Sequence, residues 1–422
     1  MRRANVPAIL REGNFARYLV ASSVSTLGSG MSTVALAFAV LGMGGVTDLG
    51  IILLAREIPL ILFVLLGGVF ADRMRRRTIL VSTDLVKAIA QGLTALLFFS
   101  GSADLLTVVI LQVMFGTASA FSGPATTGLV REISSDSTLQ EANALLSLSR
   151  SILYIVGPAV GALIVAAGSP ALALAVDAVS FLVSALFTFS LRLPGVVRMV
   201  AASLLDDLRG GWREFVERRW AVAMVLSFGL FQLTYFPALN VLGPSVAQTE
   251  LGGPTSWGLI LALEAVGAVI GGAVSLRLKV VRPLVACQLF VVPSGLLLIG
   301  LAVPLPVAVL VVMSAAVGFG FAAGNTYWMT ALQQNVPEHA LSRISSFDWL
   351  GSVAFNPVGY ALVGPLALAI GTPETLVACG VMNVIAAVGV IFVPSVRRIR
   401  MVSPGATPAP LPEAGTPYTE LG

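Results

Sequence analysis

Apolar residues in this chain run in blocks of about 20 to 26 with almost no charge inside them, too long for buried strands and apolar on every face. At about 1.5 Å rise per residue, each block makes a helix that crosses a hydrocarbon layer roughly 30 Å thick with some tilt. Twelve helices are predicted in this way. Six lie near Tyr18 to Gly42, Gly50 to Ala71, Thr78 to Ser100, Asp104 to Thr126, Ala142 to Ala167 and Pro170 to Leu191. Six more lie near Trp220 to Gly243, Ser256 to Leu276, Leu284 to Val303, Pro306 to Thr330, Ile344 to Leu368 and Pro373 to Val393. The gaps between blocks alternate in sign. One set holds only Asp48, Asp104, Glu250 and Glu374 as charges, and the other holds Arg73, Arg75, Arg76, Arg77, Arg131, Arg277, Lys279, Arg282 and Arg343. Because basic loops stay on the cytoplasmic side, the expected protein is polytopic with both termini in the cytoplasm.

The longest gap, residues 192–219, divides the predicted helices six and six. It is read as a cytoplasmic linker in which Leu204, Leu205, Leu208, Trp212, Phe215 and Val216, spaced among charges, form an amphipathic surface helix. The expected organisation is a cytoplasmic segment at residues 1–17, a six-helix bundle at 18–191, the linker, a second bundle at 220–394 and a disordered tail at 395–422 rich in Pro, Gly, Thr and Ala. The halves repeat weakly. Gly67-Gly68 before Arg73 returns as Gly271-Gly272 before Arg277, and Phe115-Gly116 returns as Val317-Gly318. Such an internal duplication implies two bundles around a central cavity that opens to each side in turn.

Composition narrows the class further. With 57% hydrophobic and 11% charged residues and a mean hydropathy of +0.93, a soluble domain is excluded. The excess of Lys and Arg is explained by anionic lipid at helix ends, so nucleic acid is not an expected partner. Cys287 and Cys379 fall in separate apolar blocks and read as small core residues, with no metal site. The first apolar block is long enough to remain as a helix, so no cleaved leader is expected. No glycine-rich phosphate loop with its lysine is present, and a single histidine, His339, stands in a basic loop. These absences argue against an ATP-driven pump and against His-based catalysis, so the expected protein is not an enzyme and needs no cofactor.

The loop Gly68-Val-Phe-Ala-Asp72-Arg73-Met-Arg75-Arg76-Arg77 resembles the cytoplasmic signature between the second and third helices of the major facilitator superfamily. That family usually has glycine where this chain has Arg75. The resemblance implies that Gly68, Asp72, Arg73, Arg76 and Arg77 form a gating loop. In it Asp72 faces the positive end of a helix in the other half and latches the cytoplasmic side shut. In the second half Leu276 replaces the aspartate. Phe121-Ser-Gly-Pro124-Ala125, Glu141-Ala142-Asn143-Ala144-Leu145 and Gly157-Pro158-Ala-Val-Gly161 are similar to the branch with enterobactin-exporter-like and macrolide-efflux-like members. Gly157, Pro158 and Gly161 look like the fifth-helix element of antiporting exporters, although the fourth helix lacks the arginine of many proton-coupled relatives. The resemblance implies secondary active export of a small amphiphilic molecule by alternating access, driven by proton antiport, from a monomer in a bacterial inner membrane. Uptake or facilitated diffusion of a nutrient is the alternative, and a non-transporting receptor or assembly partner is the alternative from another class.

Charge at membrane depth is costly and needs a partner or a task. Glu57, Asp84, Asp177, Glu264 and Asp348 are the acids there, with Arg56, Lys87 and Arg150 as bases. Glu264, Arg150, Glu57 and Asp84 are the proton-coupling candidates. By residue count Arg150 and Glu264 reach similar depth and could pair, either as a switch or as a permanent ion pair. Asp84 and Lys87, three apart on one helical face, read as a local pair. Helices one, four, seven and ten line the cavity in the resembled family. They, with Asp177, supply the substrate candidates Ser22, Ser25, Thr26, Gln112, Asp177, Gln232, Tyr235, Asn240, Asn325, Tyr327 and Trp328, each of which could instead serve interhelical bonding.

Overall fold

The computed structural model describes residues 8–135, 138–193, 212–275, 277–278, 280–303 and 305–401. It is helical, with no strand among the described residues. The first six helices are α1 (Gly13–Met43), α2 (Val46–Arg73), α3 (Arg76–Ser100), α4 (Leu105–Glu132), α5 (Leu139–Ala166) and α6 (Pro170–Phe189). Next come α7 (Arg219–Thr249), α8 (Pro254–Ser275), α9 (Pro283–Ala302) and α10 (Val307–Asn335). They are followed by α11 in two pieces (Glu338–Val353 and Asn356–Ile370), α12 (Thr372–Ile391) and the short α13 (Pro394–Arg398). Among the described residues eleven helices are long and apolar enough to cross a membrane. The 28-residue α2 stands in sequence between two of them. Lipid offers backbone groups no partner, so helices that satisfy their own amides are what such blocks must form.

Helix ends follow local chemistry. Asp104 caps α4, its side chain accepting from the Thr107 amide at 3.0 Å. Hydrogen bonds from Thr107 hold that carboxyl below the ordinary aspartate range. Ser169 caps α6 in the same way at 3.1 Å. Gly101 closes α3 at φ +67°, where a side chain would be strained.

Two predicted helices depart from a single regular α-helix. The eleventh is broken at Ala354 and Phe355, because Pro357 has no amide to give the Val353 carbonyl and its ring crowds the preceding turn. The seventh passes its predicted end at Gly243 and reaches Thr249, absorbing Pro237 through a π turn at Ala238–Leu242. Of the linker, residues 212–217 are described and helical. There Phe215 is buried and stacks on Phe347 at 6.0 Å, and the exposed Trp212 meets the same ring edge-on at 5.5 Å. The linker at 194–211 and residues 402–422 of the predicted tail lie outside the described residues. The tail's start departs from the expected disorder, since Pro394–Arg398 is helical with Val396 buried in the second half's core.

Helices α1 to α6 pack on one another, and α7 to α12 do likewise. Between these halves α2 meets α11, α5 meets α8, and α1 meets the end of α7. The apolar cores show where the halves join. Around the acidic ends of the helices one core takes residues from both halves, including Val34, Leu49, Ile52, Ala162, Tyr235, Trp257, Tyr360 and Val363. Around the basic ends there are two separate cores. One is built on Phe15, Tyr18, Ile79, Leu129 and Leu146, the other on Phe215, Trp220, Met224, Trp328 and Ile344. Among the described residues, therefore, the two halves share one core at the acidic end and have separate cores at the basic end.

Candidate transport site

Within the first half, most of the buried charge is consumed by neighbouring helices. Asp177 on α6 has no exposed surface. It accepts from Gln91 Nε2 on α3 at 2.7 Å and from its neighbour Ser180 at 3.4 Å. Gln91 in turn accepts from Gln112 on α4 at 3.4 Å. Asp84 accepts from Ser184 of α6 at 2.7 Å. Lys87 does not form an ion pair with Asp84; its ammonium donates to Ser122 of α4 at 3.0 Å and lies 5.4 Å from the Phe181 ring and 5.8 Å from the Phe115 ring. Arg56 sits over Phe115 at 4.0 Å. Two aromatic side chains, themselves edge to face at 5.7 Å, thus host two of the protein's own cations. Asp177 and Gln112, selected from sequence as substrate candidates, are buried inside this bundle.

The gating-loop arginines serve the first half as well. Arg76 donates to the Gly128 carbonyl at 2.9 Å and to Glu132 at 2.7 Å, clasping α3 to α4. Arg77 donates to the Leu191 carbonyl at 2.8 Å and lies over Phe189 at 5.1 Å, clasping α3 to the end of α6. Arg75 stands at φ −65° and ψ 119°, extended backbone open to any residue, so glycine is not required there. The surroundings of Gly68 and the side chains of Asp72 and Arg73 lie outside what the structure describes, as do those of Leu276 and His339. Gly157, Pro158 and Gly161 press α5 onto α1. A Cβ on Gly157 would stand 2.9 Å from Gly30 Cα, and one on Gly161 would stand 2.6 Å from the Met31 carbonyl oxygen.

Arg150 and Glu264 do not pair. Ala162 of α5 packs against Gly258 of α8. Counting down both helices from that contact places Glu264 level with residue 156, about 9 Å above Arg150 by helix rise. Arg150 is exposed and faces Tyr18 toward the basic end. Glu264 is half-buried, and its Oε2 is buried without a hydrogen-bond partner. Tyr235 of α7, close enough to Glu264 to feel its charge, has no exposed surface and an unpartnered hydroxyl. Gln232, one turn away on α7, has its Oε1 buried and unpartnered too. Beside them stand the rings of Phe231, Phe236 and Phe321, with Phe231 stacked on Tyr235 at 5.0 Å and Phe321 edge-on to both at 5.3 and 5.5 Å. In the widened turn of α7, Asn240 donates to the Tyr360 hydroxyl of α11 at 2.9 Å. Tyr360 lies within electrostatic reach of Arg56 and Glu57 on α2.

The remaining sequence-selected residues fall elsewhere. Ser25 and Thr26 return their hydroxyls to the Ser22 carbonyl on their own helix. Asn325 is exposed. Tyr327 donates to the Leu278 carbonyl at 3.0 Å, and Trp328 donates to Asp348 at 2.9 Å amid Trp220 and Phe228. Sequence reasoning selected Gln232, Tyr235 and Glu264 but missed Phe231, Phe236, Phe321 and Tyr360. A usable signal was present, since Phe231 and Tyr235 are four apart and therefore share a helical face.

The profile described as Major Facilitator Superfamily matches residues 18–355. The chain is 27% identical over 412 residues to "Multidrug efflux pump Tap" of Mycolicibacterium fortuitum, covering 93% of this chain and 98% of that protein. It is 21% identical over 343 residues to "Macrolide efflux protein A" of Streptococcus pyogenes, covering 79% and 84%. Among solved structures it resembles the nucleoside transporter NupG (D323A mutant), with TM-score 0.73, 13% identity and 90% and 99% coverage. It also resembles a bacterial homologue of the iron transporter ferroportin, with TM-score 0.70, 15% identity and 90% and 98% coverage.

Proposed function

Because this chain belongs to the Major Facilitator Superfamily, a family of membrane transporters rather than enzymes, we propose that it exports small amphiphilic drug-like molecules in exchange for protons. The observation that carries the reading is that, among the described residues, the halves share one core at the acidic end and have separate cores at the basic end, with the half-buried Glu264 beside the junction and its buried Oε2 unpartnered. Two bodies that share a core at one end and keep separate cores at the other suit alternating access, since rocking them about the shared end exchanges which end is open. The positive-inside rule puts the basic end in the cytoplasm, so this conformation faces inward, where an exporter loads. The names of the relatives, both efflux proteins matched along most of their length, support export over uptake. The coupling ion is assigned to protons because half-buried carboxylates at membrane depth, chiefly Glu264 and then Glu57, are the groups able to load and unload one. No cofactor takes part, and the monomer in the bacterial inner membrane is the working unit.

Expression in a pump-deficient bacterial host tests this. Export lowers steady accumulation of a panel of macrolides and dyes, and an uncoupler restores it to the level of cells without the protein. Raised accumulation supports uptake instead, and unchanged accumulation across the panel ends the transport reading for these compounds.

A further inference from the structure

The two halves treat aromatic rings and charge in opposite ways. In the first half the Phe115 and Phe181 pair is filled by the protein's own Arg56 and Lys87. In the second half the larger group of Phe231, Tyr235, Phe236 and Phe321 has no Lys or Arg over any ring among the described residues. Beside that group stands an acid with no ion pair among the described residues, together with two buried oxygens, Tyr235 OH and Gln232 Oε1, that have no donor or acceptor. Buried polar atoms without partners cost free energy and are kept where something else satisfies them. Phe231, Phe236 and Phe321 are only half-buried and pack on the core shared by both halves, which sets them at the junction rather than within a bundle.

We propose that Glu264, Tyr235 and Gln232, walled by Phe231, Phe236 and Phe321, form a subsite for the charged end of a monovalent organic cation carried on an aromatic body. Ring faces attract a cation and Glu264 neutralises it. The Gln232 oxygen accepts from an ammonium hydrogen, and the Tyr235 hydroxyl can donate to an ether or carbonyl oxygen nearby. An anion finds the opposite: acid on this wall, and the first half's Arg56 and Lys87 already engaged with Phe115, Phe181 and Ser122. This rests on the export reading and adds the charge and shape of what is carried.

Binding to the purified full chain in detergent tests the subsite with two fluorescent probes, cationic ethidium and uncharged Nile red. Glu264→Gln is expected to weaken ethidium about tenfold or more and to leave Nile red within about twofold, while Phe321→Ala weakens both. In the unaltered protein, dicyclohexylcarbodiimide labelling of Glu264, read by peptide mass, is expected to fall about fivefold with saturating ethidium and to stay unchanged with Nile red. This second measurement needs no variant to fold. Equal ethidium affinity in Glu264→Gln, or labelling of Glu264 indifferent to ethidium, overturns the subsite. A protein that exports uncharged drugs yet fails these tests loses the cation subsite and keeps the export reading. One that binds ethidium through Glu264 without exporting anything keeps the subsite and loses the export reading.

Discussion

Asp177 shows how much a single residue's role depends on its surroundings. An aspartate inside an apolar block reads equally as a substrate ligand or as interhelical glue. Here it is glue: Gln91 and Ser180 bond it, Gln112 bonds Gln91, and no surface is left to a solute. Asp177→Ala should strand Gln91 and lower stability by about 1–3 kcal/mol, seen as a fall of several degrees in thermal unfolding in detergent. A variant that melts like the parent but has lost drug binding would return Asp177 to the substrate path. The candidate site was half legible for the same reason. Gln232, Tyr235 and Glu264 declared themselves by polarity in apolar blocks. The rings of Phe231, Phe236 and Phe321 did not, because phenylalanine in a membrane helix is ordinary until its neighbours are known.

Among elements, the fifth helix carries the most specific motif, and its purpose here is close packing. Gly157 and Gly161 let α5 and α1 approach until backbone meets backbone, with Pro158 lying beside Gly30. Because the atoms a side chain at Gly161 would strike are the Met31 backbone, they cannot turn aside. Gly161→Leu should cost about 1–3 kcal/mol or more and reduce the yield of folded protein on size-exclusion chromatography, with Gly161→Ala milder. Indistinguishable yields for the leucine variant and the parent would remove packing as the motif's function. Helix positions were readable from hydropathy almost everywhere. The break in α11 was missed although Asn356-Pro357 marked it, because a hydropathy window averages over a proline whose cost lies in one lost amide and one crowded turn.

For the molecule as a whole, the deciding feature is the seam at the acidic end. A Cβ on Gly364 of α11 would stand 2.6 Å from Thr47 Cα of α2, so this contact between halves tolerates no side chain. Gly364→Leu should pry that end apart and shift the population toward the form open there. The check is maleimide labelling of a cysteine placed at Leu49, which is now fully buried in the shared core. Labelling in membranes is expected to rise about tenfold while transport falls, since a wedge worth about 1.4 kcal/mol between the two forms changes their ratio by that factor. Unchanged labelling would mean that the seam does not hold the two forms apart.

By itself the sequence determined an all-helical membrane protein of this superfamily, because block length, hydropathy and the Asp72 loop are properties of the chain in one dimension. Only the tertiary structure decided which buried charges are spent inside a bundle and which stand free at the junction. That outcome depends on the rotation of each helix about its axis and on the depth at which neighbours meet. A slip of about 9 Å between α5 and α8 is enough to part Arg150 from Glu264, and hydropathy carries no record of it.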